Sequence, residues 1–463
     1  MMAKSVVVIN VVGLTQSLIG EHTPHLSAFL NKHGAATIRP VMPAVTCSVQ
    51  SSMLTGLPVS GHGSVGNGWY NHEQNEVQFW KQSNQIVQGE KIWETAKKRD
   101  NTFTCLNMFW WYNMYSSADY SVTPRPIYKA DGRKIPDCYS HPQNLRDELQ
   151  EKLGTFPLFR FWGPATSIAS TQWIADATKI MHAKTNPTLT LCYLPHLDYI
   201  LQKVGPDITN GDVIKDLTEI DTVVGDLLDY FASKDVVPII VSEYGIDSVG
   251  HAVALNRYLR DGGGVSIREE EGLELLDCGA SDAFAVCDHQ TAHVYIKDHH
   301  RIVYFRDLLK RIDGVEHVYD KIEQAALGIN HARSGELFVV ANKGCWFSYY
   351  YWQTDTKAPD FARCVDIHRK PGYDPCELFM DPKISAVKFK LAMKLVKKKL
   401  GYRTLMDVIP LDHQLVKGSH GRVDLTSEHQ PILMTSDPNS SLATLINCTD
   451  VYHIVLKAME INA

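Results

Sequence analysis

Residues 6–12, 103–108, 188–194 and 236–242 are four almost continuously apolar runs, rich in Val, Ile and Leu. A strand with one wet face alternates apolar and polar residues, whereas a strand apolar throughout is covered on both faces. Between these runs lie helix-like stretches at 91–98, 170–183 and 213–231. Buried strands separated by helices predict an α/β fold, a mostly parallel sheet with helices on both faces. Such a sheet gathers its ligands at the carboxyl ends of its strands. Thr46, Asp198 and Glu243 all fall just after strand candidates or in the turns that follow them.

The chain has 463 residues, enough for this core plus an insertion. Residues 292–296, 301–311 and 315–319 read strand–helix–strand and, with 336–341, predict a small α+β unit. The expected organisation is a core over 1–284, a cap over 285–402, and a returning core segment over 403–463. Two long segments rich in Pro, Gly and polar residues, 119–142 and 353–383, carry Tyr, Trp and His and read as ordered functional loops.

Net charge is −6, which gives no basic signature for nucleic acid. Ten cysteines are scattered without a CxxC pair, several within apolar runs. That pattern predicts buried reduced thiols and a cytoplasmic protein. The run after Lys4 has the length of a signal-peptide core but enters Gly13-Leu14-Thr15 without a small-residue cleavage site, so a first strand is expected. No run approaches the ~20 apolar residues of a membrane-spanning helix. Residues 388–400 form a basic amphipathic helix, read as a surface helix, with contact to an anionic membrane surface as the alternative.

The chemistry concentrates between Pro43 and Gly63. Pro43-Ala44-Val45-Thr46 leads into a helix of small residues, then Leu54-Thr55-Gly56 and Gly61-His62-Gly63. A hydroxyl opening a helix lies where backbone N–H groups favour an anion. It is placed to attack a phosphoryl or sulfuryl centre, or to serve as a buried cap. The fifteen-residue segment resembles the nucleophile segment of the alkaline phosphatase superfamily. Its branch is the type I phosphodiesterase/nucleotide pyrophosphatase family, with the pattern P-x-x-T-x-x-x-x-x-x-L-x-T-G. The resemblance implies an alkaline-phosphatase-like core, a phosphoester or phosphoanhydride hydrolase, and Thr46 as nucleophile.

The family's other motifs occur in order with altered ligands. Val12 stands where the family has the Asp of Asp-Gly. In Asp198-Tyr199-Ile200-Leu201-Gln202, followed by Gly205-Pro206, Asp198 matches a carboxylate ligand and Gln202 replaces His. In Ser242-Glu243-Tyr244-Gly245, Glu243 replaces Asp and Tyr244 replaces His. Gly418-Ser419-His420-Gly421 keeps its His. The resemblance thus implies metal ligands at Asp198, Gln202, Glu243, Tyr244 and His420. This oxygen-rich set suits one divalent or ferric ion, Mn, Fe, Mg or Ca, over a zinc pair. Tyr244 is the second catalytic candidate. Asn67, Trp69 and Tyr70 follow the nucleophile helix and, by the resemblance, face substrate.

His289, in Asp288-His289-Gln290, and His368, Arg369 and Lys370 are further substrate-binding candidates. Asp366 and His368 are two apart, so a strand would put them on one face. The aromatic runs at 109–115 and 346–352 read as core, with stacking on substrate as the alternative. Two other readings stay open: a pseudoenzyme that binds a phosphorylated or aromatic metabolite, and an isomerase or lyase on the same scaffold. The altered motifs also resemble a phosphodiesterase-like subgroup encoded in ebo-type bacterial gene clusters. That likeness implies a specialised metabolite or prenyl-linked substrate, handled in secondary-metabolite biosynthesis or export.

Overall fold

The computed structural model describes residues 3–440 and 442–461. The strands of the main sheet are Val6–Val11 (β1), Ala36–Arg39 (β2), Cys105–Met108 (β3), Tyr120–Pro124 (β4), Cys138–His141 (β5), Leu189–Leu194 (β6) and Val237–Val241 (β7). Ala283–Asp288 (β8), Thr291–Ile296 (β9), Val315–Tyr319 (β10) and Leu337–Ala341 (β11) build a second sheet. The chain then returns to the first with Ile432–Thr435 (β12) and Leu445–Asn447 (β13). Principal helices are Thr46–Thr55 (α1), Ile168–Thr185 (α2), His196–Val204 (α3), Gly211–Ala232 (α4), Val387–Lys399 (α5) and Asp450–Ala458 (α6).

The nine-stranded sheet runs β13-β2-β12-β7-β1-β6-β3-β4-β5. Its centre, β7-β1-β6-β3, is parallel throughout, and β12 enters antiparallel between β7 and β2. Every residue of β1 and β6 is buried. Burying a Val or Leu side chain contributes about 1.5–3 kcal/mol, so these central strands dominate the core. The four-stranded sheet runs β8-β9-β11-β10, all antiparallel, over a separate apolar cluster that takes in Leu255, Leu259 and Tyr349 to Trp352.

Two expectations are corrected. Segment 119–142 is not a loop, because β4 and β5 extend the main sheet from within it. Asp366 and His368 lie in irregular turns rather than a strand. Pro371 and Gly372 follow closely, and neither favours a ladder. The helix α5 is on the surface: Val387 and Leu391 pack inward, while Phe389, Met393 and Val396 are exposed. Among the described residues no helix is long and apolar enough to cross a membrane. All ten cysteines are unpaired, and eight of them are buried.

Candidate active site

Three parallel strands end side by side and hand their following turns to one place. After β6 comes α3, with Asp198 in its first turn and Gln202 one turn later. After β7 come Glu243 and Tyr244, and β1 contributes Asn10 near its end. Thr46 is the first residue of α1, a helix buried at every position. Its run of Ser, Thr, Cys and Val lets it fit between neighbouring elements, and Gly56 closes it in the left-handed region with φ 69°.

Thr46 Oγ1 lies 3.1 Å from Tyr244 Oη. Tyr244 Oη donates to Asp198 Oδ1 at 3.3 Å, and Gln202 Nε2 donates to Asp198 Oδ2 at 2.7 Å. Tyr373 Oη donates to Gln202 Oε1 at 2.8 Å. The His420 ring stacks on Tyr244 with centroids 3.6 Å apart, and His289 lies against both His420 and Tyr373. The family-matched residues Thr46, Asp198, Gln202, Tyr244 and His420 thus form one continuous cluster.

Glu243 joins it through a different set of partners. Its Oε1 accepts from Asn10 Nδ2 and from Gln50 Nε2, both at 2.6 Å. Its Oε2 is buried without a hydrogen-bond partner. Asn10 and Gln50 were missed in the sequence, yet Asn10 is the one polar residue in an otherwise apolar buried strand, which is a signal.

The electrostatics follow from burial. With no cationic side chain among its hydrogen-bond partners, Asp198 is pushed up to about 7 and Glu243 to about 8. Burial lowers His420 to about 3 and pushes the Tyr244 phenol well above its ordinary range.

Asn67 borders the cluster. Its Oδ1 accepts from Cys47 N at the start of α1, and its own N and Nδ2 donate to Asp288. Asp288, buried between Asn67 and His289, is raised to about 7 by desolvation. Trp69 lies under the Arg333 guanidinium, and Tyr70 packs on Phe284 and Tyr295, in an apolar cluster that also takes in Tyr373.

The segment 366–370 is not drawn in. His368 Nδ1 contacts Phe79 O, Arg369 reaches Asp360, and buried Lys370 is locked between Asp374 and Glu377 at 2.7 Å each. Lys370 therefore has its charge matched within the fold. Three residues of that segment on, Tyr373 does reach the cluster. Buried itself, it begins an aromatic rim with three partly exposed rings: Trp80 against Trp111 at 4.8 Å, Trp80 against Tyr373 at 6.0 Å, and Trp162 against Tyr373 at 5.8 Å. Of the two aromatic runs, 346–352 lies in core clusters, and Trp111 is the member of the first that joins this rim.

The donor set does not fit a metal pair. Val12 offers no ligand atom, two amides hold Oε1 of Glu243 and leave only Oε2, and Tyr244 and Gln202 are neutral. A single ion fits better. His420 Nδ1 is 2.8 Å from Ala44 O, which fixes the ring as an Nδ1–H donor and leaves Nε2 bare, 4.0 Å from Asp198 Oδ1.

A model of the family described as type I phosphodiesterase / nucleotide pyrophosphatase matches residues 6–374. An uncharacterised pyrophosphatase/phosphodiesterase of Schizosaccharomyces pombe is 24% identical over 208 residues. That match takes in 42% of this chain and 34% of the yeast protein, so the chain spans about a third of that relative's length. Among solved structures, murine ectonucleotide pyrophosphatase/phosphodiesterase 5, an inactive variant in complex with AMP, superposes with a TM-score of 0.58 at 14% identity. Phosphonoacetate hydrolase from Sinorhizobium meliloti, in complex with phosphonoformate, gives 0.63 at 12% identity. Each likeness covers 99% of this chain and 96% of the other. At these identities they show a shared fold.

Proposed function

Because the chain belongs to the type I phosphodiesterase / nucleotide pyrophosphatase family, we propose that it hydrolyses a phosphoester through Thr46. The observation that carries this reading is the hydroxyl of Thr46 at the head of a buried helix, 3.1 Å from Tyr244 Oη. Thr46 Oγ1 attacks phosphorus as the ester P–O bond breaks; its proton passes to Tyr244 Oη, which gives its own proton to Asp198. Buried Asp198, which accepts from Tyr244 Oη, is the end of this proton path. The ester oxygen leaves with a proton as the Thr46–phosphoryl bond forms, and water then breaks that bond.

A single ion, Mn, Fe, Mg or Ca rather than a zinc pair, would be held by Asp198 and His420 with the oxygens of Thr46 and Tyr244 nearby. Gln202 and Glu243 bear on it through their neighbours. When bound, it would stabilise charge developing on the phosphoryl oxygens. The aromatic rim of Trp80, Trp111, Trp162 and Tyr373 supports an ester whose alcohol is aromatic or apolar, in keeping with a specialised metabolite. Asn67 borders the phosphate position, and His289 lines the pocket between Tyr373 and His420. Ten unpaired cysteines suit a reducing, cytoplasmic setting, and the exposed apolar side of α5 is where contact with an anionic membrane would be made.

The test is turnover of an aryl phosphodiester with each candidate ion. Thr46→Ala is expected to abolish it without loss of folded protein, and undiminished turnover would sink the assignment. One observation favours a second reading, a binding protein without turnover: two amides hold one oxygen of Glu243 where the family has a metal-bound carboxylate, and Val12 supplies no ligand at all. On that reading the wild type binds an aryl phosphate tightly and turns over no diester with any ion.

A further inference from the structure

A second polar cluster lies between α3 and α4 and shares no side chain with the candidate active site. His196 opens α3, while Asp216 and Glu219 sit three apart on α4, a spacing that puts them on one helix face. His196 Nε2 is 3.3 Å from Asp216 Oδ2 and 3.3 Å from Glu219 Oε2. The His196 side chain is 3% exposed. Neither its Nε2 nor Glu219 Oε2 makes a hydrogen bond, although both atoms are buried. The neighbouring cation is Lys215, 64% exposed, and it reaches the other two oxygens, Asp216 Oδ1 and Glu219 Oε1. The inner oxygens and the imidazole nitrogen are left facing one another.

A protonated imidazole would aim its N–H at one oxygen at an ordinary hydrogen-bond length. Here the nitrogen sits equidistant from two carboxylates in hydrogen-bond geometry with neither. Two ligand atoms 3.3 Å apart subtend roughly 100° at a point about 2.1 Å from each, between the octahedral and tetrahedral angles. We propose that His196, Asp216 and Glu219 bind a divalent first-row transition cation, with its remaining positions open to water. One imidazole and two carboxylates suit zinc, manganese or iron, and zinc is the strongest-binding of these. The ion joins α3 to α4. His196 and Asp198 are two residues apart, roughly 200° around the helix, so the two sites lie on opposite faces of α3.

The experiment is zinc titration of chelator-stripped full-length protein, with bound zinc counted by elemental analysis after dialysis. Glu219→Gln, at a partly exposed position, and Asp216→Asn are each expected to bind one equivalent fewer than wild type. Zinc is also expected to raise the melting temperature of wild type and of His420→Ala, but not of Glu219→Gln. Equal zinc content in wild type and both α4 variants overturns the proposal, as does a wild type that binds no zinc. Using two variants outside the core keeps the test independent of whether a His196 substitution folds.

Discussion

In the proposed reaction Tyr244 stands between a hydroxyl that must lose a proton and a carboxyl able to take one. Its own phenol is far too weak an acid to ionise, so it acts as a hydrogen-bonded bridge. Tyr244→Phe is expected to lower kcat on an aryl phosphodiester by about 10²–10³ with little change in KM, since the ring still stacks on His420. A rise in KM with kcat little changed would instead assign Tyr244 to substrate binding. At this scale the sequence carries the motif positions, because a changed ligand still sits in a recognisable string. It does not single out Gln50 or Tyr373, because only the folded chain brings them against Glu243 and Gln202. Nor does it separate Lys370 from a substrate cation, because the carboxylates that neutralise it become partners only when the loop folds back on itself.

At the level of elements, the site depends on turns that leave the sheet without room for larger side chains. Gly245 follows Tyr244, and a Cβ there would lie 1.8 Å from His429 O. That carbonyl is backbone and cannot swing aside. Gly245→Ala is therefore expected to destabilise the protein by about 1–3 kcal/mol or more in chemical denaturation. Gly250→Ala, where nothing lies within 4 Å, is the control and should stay close to wild type. The central strands were legible because continuous apolar runs have few alternatives. The strands β4 and β5 were not, because Pro124, Pro142 and the polar stretch between them mask the last two positions at one end of the sheet. We propose that β8 to β11 and their helices form a cap inserted between β7 and β12, with the core resuming in the segment that carries His420.

For the whole molecule, burial of ionisable groups sets how stability follows pH. Asp288 is raised from an ordinary value of 3.8 to about 7, so the folded state holds a proton that the unfolded chain gives up. Its contribution is fully present below pH 3.8 and is lost as pH rises through 7. Buried His293, lowered to about 4, acts oppositely: its contribution is present above 6.5 and lost as pH falls. Asp288→Asn should remove up to about 1.4 kcal/mol of decline per pH unit between roughly pH 4 and 7. Denaturant midpoints measured across that range check it, and an unchanged slope would mean that Asp288 is ionised in the folded protein.

The order of strands in the main sheet has a further consequence. β2 is made early, but the strands on either side of it, β12 and β13, belong to residues 432–447. On the ribosome, β2 and one edge of β7 must wait unpaired while nearly two hundred residues of intervening chain emerge after β7. During that interval the nascent protein exposes apolar strand edges of the kind that join other chains. The half-built sheet closes only when β12 slots between two strands that are already there.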